Sequence, residues 1–347
     1  MNVLVVSRRE VLNPFSGEIA NILSDHCQVI VDLDQFWEKT GQYDLLLFQW
    51  PEELFKNWSE PTETDFDLLV DALRYWSCRS KLYIIRHNLH PHYRFSAQYL
   101  RLYDLTYSFM DGVVHLGQFS KVDYLYRYPD RNQHQKQLVI PHPLYTSMSP
   151  VIDKSLARER LNIPRTSQVV LVFGSVRNYA EYSTIMESFD KVNIANKFLL
   201  ISSVQFDKFG KSKLKSYFNL LRTRMTRNLK VGHAFIPSEA VSNYLSSADV
   251  ILIPRQAPLN SGNLPLGFQF QKVVVGPNYG NVGEILSQTG NPTFYFDNSS
   301  SVARALEEGA ELANRGKGIE NYNHAMRNWS HNELSKKYLS LLSELNH

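Results

Sequence analysis

Cysteine is almost missing from this chain of 347 residues: Cys27 and Cys78 are the only two. That excludes a disulfide framework and a zinc site built on thiolates. Long apolar runs are missing as well, and nothing approaches the ~18–20 apolar residues needed to span a bilayer. The opening MNVLVVSRRE carries an apolar run of four residues followed by charges, which reads as a first β-strand and not as a secretory signal. A cytoplasmic protein, at most peripheral on the inner face of a cell membrane, is therefore expected. An excess of one charge sign is lacking too. The formal net charge of +3 is too small for a dedicated nucleic-acid binder. Internal repeats, low-complexity tracts and heptads are absent.

What is present is ordinary globular composition, with 43% apolar and 20% charged residues, and enough length for two domains with separate cores. Continuous Val/Ile/Leu-rich runs mark strands at Val3–Val6, Val29–Leu33, Asp44–Phe48, Leu82–Ile85, Val113–His115 and Leu138–Ile140. A second set follows at Val169–Phe173, Phe198–Ile201, Val250–Ile253, Val273–Val275 and Thr293–Phe296, with a weaker run near Leu229–Val231. Unbroken runs of this kind are strands buried on both faces. Amphipathic segments such as Glu181–Val192, Ser238–Ser246 and Ser301–Asn314 lie between them at helical period. The alternation predicts an α/β protein of two doubly wound, Rossmann-like domains. The Pro-rich stretch Pro141–Asp153 is the expected linker, separating residues 1–148 from 149–329. A terminal helix over 330–347 either completes the second domain or crosses back to the first.

Ligands of open parallel sheets bind beyond the carboxyl ends of the strands, so residues that follow each strand are the site candidates. In the second domain these are Gly174, Ser175 and Arg177, then Arg255, then the Ser261–Gly262–Asn263 turn, then Glu284. Glycine permits close backbone approach, arginines neutralise phosphate, and a helix N-terminus presents free N–H groups to an anion. Together they predict a diphosphate site. In the first domain, Trp50 and Glu52 follow one strand, and His87, Asn88, His90 and His92 follow another. A histidine there suits general-base chemistry or orientation of a hydroxyl. Pro91 interrupts that cluster and no cysteine assists it, so no metal site and no cofactor are expected. Basic residues Arg94, Arg101, Arg127, Arg131 and Lys136 interleave with Tyr93, Phe95, Tyr99, Tyr103, Tyr107, Tyr124, Tyr126 and Tyr128. This pattern fits either an anionic membrane surface or a solvated face over an aromatic core.

Five segments in order carry a family resemblance: QWPEEL at 49–54, RHNLHPHYR at 86–94, VIPHPLY at 139–145, FGSVRNYAEYSTIMESF at 173–189, and ADVILIPRQAPLNSGNLPLGFQFQKVVV at 248–275. They resemble the matching motifs of bacterial glycosyltransferases of the GT-B fold, in the retaining, family 4-like group that uses nucleotide sugars. The resemblance implies two domains facing across a cleft. A nucleoside-diphosphate sugar would be bound by the second domain and a glycan or lipid-linked acceptor by the first. It implies donor contacts from Gly174, Arg177, Ser261, Gly262 and Asn263, and a contact of His87 with the transferred sugar or acceptor hydroxyl. Ser175, Arg255 and Glu284 are further donor-binding candidates, His87 and Glu52 the candidate catalytic residues, and Phe15, Trp50, Asn88 and His90 the acceptor-binding candidates.

The chain departs from the family at several points. Tyr179, Ala180 and Glu181 stand where the family has Tyr-Lys-Gly, so a phosphate cation is lost, and Lys208, Lys211 and Lys272 are candidates to replace it. Gln49 stands for the first histidine of the family's HWPE segment. The paired glutamates of many retaining relatives are absent. For an inverting reaction the candidate bases are Glu52, Asp111 and His87. A hexosyltransferase of polysaccharide biosynthesis is the leading expectation. A catalytically inactive subunit that binds nucleotide sugar or a partner enzyme is the alternative, and a nucleotide-sugar epimerase a third reading.

Overall fold

The computed structural model describes residues 1–8, 14–55, 60–89, 96–204, 228–232 and 236–344. The described chain divides into two compact units, Met1–Thr146 with Asn328–His347, and Ser147–Arg327.

The first unit is a wholly parallel sheet of six strands: β1 (Asn2–Val6), β2 (Gln28–Val31), β3 (Leu45–Phe48), β4 (Lys81–Arg86), β5 (Gly112–His115) and β6 (Lys136–Val139). Their order is β2-β1-β3-β4-β5-β6. Helices α1 (Phe15–Leu23), α2 (Asp34–Glu38), α3 (Glu63–Ser77), α4 (Ala97–Ser108) and α5 (Gln118–Arg127) cover it. Alternate strand residues enter opposite layers. Leu4, Leu46, Phe48, Leu82, Ile84 and Val113 pack with Phe66, Leu69 and Trp76 of α3. Val3, Val5, Leu45, Leu47, Ile85 and Val114 pack with Phe15, Ile19 and Ile22 of α1. Both faces of the inner strands β1, β3, β4 and β5 are buried, and this is why they read as unbroken apolar runs. Thr62 starts α3 with a reciprocal cap, its Oγ1 accepting from Asp65 N while Asp65 accepts from Thr62 N at 2.8 Å. The C-terminal helix His331–Glu344 completes this unit. Its Leu334, Tyr338, Leu341 and Leu342 join the α1 layer, and its Ser335 Oγ donates to Asp25 at 2.8 Å.

The second unit holds β7 (Gln168–Val176), β8 (Lys197–Val204), β9 (Leu229–Val231), β10 (Val250–Leu252), β11 (Val273–Pro277) and β12 (Thr293–Phe294). All are parallel, in the order β12-β11-β10-β7-β8-β9. Its described helices are α6 (Lys154–Arg160), α7 (Tyr179–Lys191), α8 (Ser238–Ser247), α9 (Asn263–Gln269), α10 (Gly280–Gln288), α11 (Ser299–Asn314) and α12 (Lys317–Trp329), the last ending at the join with the first unit. Val170, Val172, Ile201, Val250 and Val275 pack under Ile185, Phe189, Val302 and Leu306. Each unit is thus a Rossmann-like, doubly wound domain, as the two sets of apolar runs imply.

The basic and aromatic stretch resolves into core. Tyr99, Tyr103 and Tyr107 recur at helical spacing on the inner face of α4 and are buried with Tyr124, while Tyr128 packs against the same cluster. The cations lie outside and are paired, Arg101 with Glu63 at 2.6 Å, Arg131 with Asp104 at 2.6 Å and Arg127 with Asp123 at 2.9 Å. These rings are therefore not a membrane-facing belt; of the described ones only Tyr126 stands exposed. Arg94, Tyr93 and Phe95 lie outside the described residues. Among the described residues no helix is long and apolar enough to cross a membrane.

Candidate functional site

The strand order reverses between β1 and β3 in the first unit and between β7 and β10 in the second. A doubly wound sheet has its ligand crevice at the carboxyl edge of such a switch point. Most of the candidate residues fall at these two edges.

In the second unit the strand pairing shifts between Val172 and Ser175, which forms a bulge centred on Gly174. Gly174 has φ of 87°, and a Cβ placed there would meet none of the described residues within 4 Å. Its peptide is pinned from β8, since Gly174 N donates to Ser202 Oγ at 2.8 Å and Ser202 Oγ donates to Gly174 O at 3.0 Å. Helix α7 begins immediately after, with Asn178 Oδ1 accepting from Glu181 N at 2.9 Å. Glu181 is almost wholly buried. Its Oε2 accepts from Arg177 N at 2.8 Å and from Arg255. Arg255, which follows β10, also donates to Ser175 O at 2.9 Å. The Arg255 guanidinium is therefore engaged by a carboxylate, which the sequence did not announce.

Ser261 and Gly262 open α9, with Leu264 N donating to Ser261 O at 3.1 Å. Asn263 Nδ2 donates to Phe173 O at 2.7 Å, so this amide ties α9 to the end of β7 in addition to any ligand role. Gly280 starts α10 with φ of 65°, and a Cβ there would come within 2.2 Å of Pro258 O. Asn281 donates to Asn260 Oδ1 at 2.7 Å and locks the two helix-opening loops together. Glu284 lies one turn into α10, partly buried.

Two expectations fail at the opposite edge. Lys272 precedes β11, at the amino end of the sheet. Its Nζ donates to Ser246 O at 3.1 Å, and burial beside Lys154 and Arg158 depresses its ammonium to about 8. It does not replace the lost phosphate cation. Asp111 precedes β5, where it accepts from Leu82 N at 2.8 Å and pairs with Lys81 at 3.0 Å, so it is no base for the carboxyl-edge site. Lys208, Lys211 and His90 lie outside the described residues.

In the first unit, Phe15, Trp50 and His87 come together. Trp50 stacks on the His87 ring with centroids 3.9 Å apart, and Phe15 meets His87 edge-on at 4.5 Å and Trp50 at 6.1 Å. Gln49, just past β3, holds His87 through a hydrogen bond of 2.8 Å between its side-chain amide and His87 Nε2. Gln49 Nε2 is buried without a hydrogen-bond partner in the described structure, and Asn88 is buried beside Glu52 and Tyr103.

Glu52 points inward. Tyr103 donates to its Oε2 at 2.6 Å, and burial raises its carboxyl above the usual range against the opposing pull of Tyr103 and Asn88. Glu53 beside it is pushed up to about 7, first by burial and then by the Glu52 charge. Phe15 also meets His142 edge-on at 4.8 Å; burial lowers His142 to about 4, so its ring is neutral, donating from Nδ1 to Pro143 O at 2.8 Å. The Gln49–His87 and Tyr103–Glu52 pairs join distant segments and have no local sequence signal. Among the described residues no group of three or more His, Cys, Asp or Glu could hold a metal ion.

Neither protein-family models nor curated protein sequences match this chain. Solved structures do match it along nearly its whole length. HepE of Anabaena, solved in complex with UDP and glucose, has a TM-score of 0.72 at 15% identity, over 99% of this chain and 100% of that one. Sucrose-phosphate synthase from Thermosynechococcus elongatus has a TM-score of 0.67 at 12% identity, over 99% and 88%. WaaG, a glycosyltransferase involved in lipopolysaccharide biosynthesis, has a TM-score of 0.65 at 12% identity, over 98% and 99%. What this chain shares with all three is the two-domain GT-B fold of glycosyltransferases.

Proposed function

We propose that this chain is a hexosyltransferase that moves a sugar from a nucleoside-diphosphate donor to a glycan or lipid-linked acceptor, with retention at the anomeric carbon. The observation that carries the donor half is Gly174. Its left-handed backbone, the space the described residues leave above it and its place at the β7/β10 switch point suit the approach of a phosphate to the main chain. The UDP and UDP-glucose complexes of HepE, with the same fold, support this assignment. The departing diphosphate gains charge in the transition state. Donors fixed in advance around it, from Arg177, Ser261 and the opening of α9, lower the barrier most effectively. On the acceptor side, His87 is held by Gln49 and Trp50, an oriented imidazole suited to assist an acceptor hydroxyl.

A second reading has one observation in its favour. The Glu181 carboxylate sits in the helix turn that follows Gly174, where the family carries a lysine-bearing segment. A negative charge there suits a subunit that binds nucleotide sugar without turning it over. Thermal stability measured with UDP, GDP, ADP, CMP and dTDP and their sugars separates the readings. One nucleotide at a hundredfold excess over its Kd adds about 2.7 kcal/mol to the unit that binds it. That shift should shrink by about half in Arg177→Ala if the lost cation weakens binding about tenfold. Turnover in an acceptor screen with the same donor, lost in His87→Ala, establishes the enzyme. Donor binding without transfer to any acceptor supports the subunit, and no shift with any nucleotide overturns both.

A further inference from the structure

The segment after β7 has lost the lysine of the family pattern, yet a second arginine is brought to it from 74 residues downstream. Arg255 reaches across the switch point from the end of β10 and donates to Ser175 O at 2.9 Å, one residue beyond the open Gly174. Glu181 holds the other branch of its guanidinium and at the same time accepts Arg177 N at 2.8 Å. Arg255, Glu181 and the Gly174–Arg177 loop form one closed ring of hydrogen bonds. Glu181 is itself fixed at its backbone by the Asn178 cap. A guanidinium held by a carboxylate and a carbonyl is oriented before any ligand arrives, so little rotamer freedom is left to lose on binding.

We propose that Arg255 supplies the diphosphate cation that the loop sequence lacks, and that Glu181 is the positioning residue that keeps it there. The inference rests on the donor assignment made above and deepens it. In this arrangement Glu181 is not a defect in a phosphate site. Its carboxylate accepts from both Arg255 and Arg177 N, and so fixes the guanidinium at the loop that carries Arg177.

The test compares UDP with UMP by calorimetric titration of the full chain. Arg255→Ala should raise the Kd for UDP about tenfold and that for UMP less than about twofold, because the guanidinium addresses the second phosphate. Glu181→Ala should produce the same UDP-selective loss, and the double variant should bind UDP no worse than Arg255→Ala alone. Should either alanine variant fail to fold, Arg255→Lys and Glu181→Gln keep the shape of the site and should each give a smaller loss, again confined to UDP. Equal UDP affinity in wild type and Arg255→Ala overturns the inference. So does tighter UDP binding in Glu181→Ala, which would make the carboxylate a competitor of the phosphate. A wild-type chain that binds neither UDP nor any other nucleoside diphosphate overturns the donor assignment itself, a different result from unchanged variants.

Discussion

Gly174 and Gly280 both adopt positive φ, but a methyl group would act differently at each. At Gly174 it enters space the described residues leave open, so Gly174→Ala pays only the left-handed backbone strain of about 1–2 kcal/mol. It should weaken nucleotide binding far more than it lowers the unfolding free energy, since it occupies the surface a phosphate would approach. At Gly280 the same methyl meets Pro258 O at 2.2 Å and the backbone of Leu259 behind it. Gly280→Ala should therefore be the more destabilising of the two in denaturant titrations. Tyr338 offers the opposite sign. Its ring is fully buried and its hydroxyl has no hydrogen-bond partner in the described structure. Tyr338→Phe removes an unsatisfied polar group at constant shape and should gain about 1 kcal/mol in the same titrations.

At the scale of elements, β5 and the segment after β6 each carry a histidine held in its neutral form, His115 buried and His142 partly buried. His115 accepts or donates between Ser120 Oγ at 2.9 Å and Gln137 Oε1 at 2.8 Å, and burial lowers it to about 4; His142 is lowered as far. Both folded values lie below the unfolded value near 6.5. The unfolded chain then binds more protons between pH 6.5 and 4, and stability falls as pH drops through that window. About 3 kcal/mol per histidine is at stake, present in full above pH 6.5. Unfolding at pH 7.5, 5.5 and 4.5 should show the decline, and His115→Gln should flatten its share of it.

The inner strands were legible in the sequence because both of their faces are buried, so that Val3–Val6 or Val273–Val275 had no polar alternation to hide them. The edges of elements were less so. β7 runs on to Val176, past the expected end at Phe173, because the bulge at Gly174 lets pairing with β8 resume at Ser175. Gly174, Arg177 and Arg255 could be placed at the carboxyl edge of the second sheet from their positions at strand ends. Asp111 and Lys272 precede theirs, which already put them at the wrong edge. Glu181 with Arg255 and Gln49 with His87 could not be read, since strand order alone brings those segments together.

At the scale of the whole molecule, the first unit is closed by a helix that lies beyond the second in sequence. Leu334 and Leu341 of that helix are buried against α1, so Leu334→Ala should cost ~2–5 kcal/mol. The loss should fall on the unfolding transition of the first unit, while a nucleotide-dependent transition of the second stays where it was. Differential calorimetry with and without nucleotide resolves the two. The same interruption has a consequence during synthesis. At ~5–20 residues per second, residues 147–327 take roughly ten to forty seconds to emerge, long enough for the second unit to fold on the ribosome. Throughout that interval the α1 layer of the first unit, with Phe15, Ile19 and Ile22, waits without its cover. Nascent chains arrested before His331 would then present an apolar face to chaperones that the finished protein conceals.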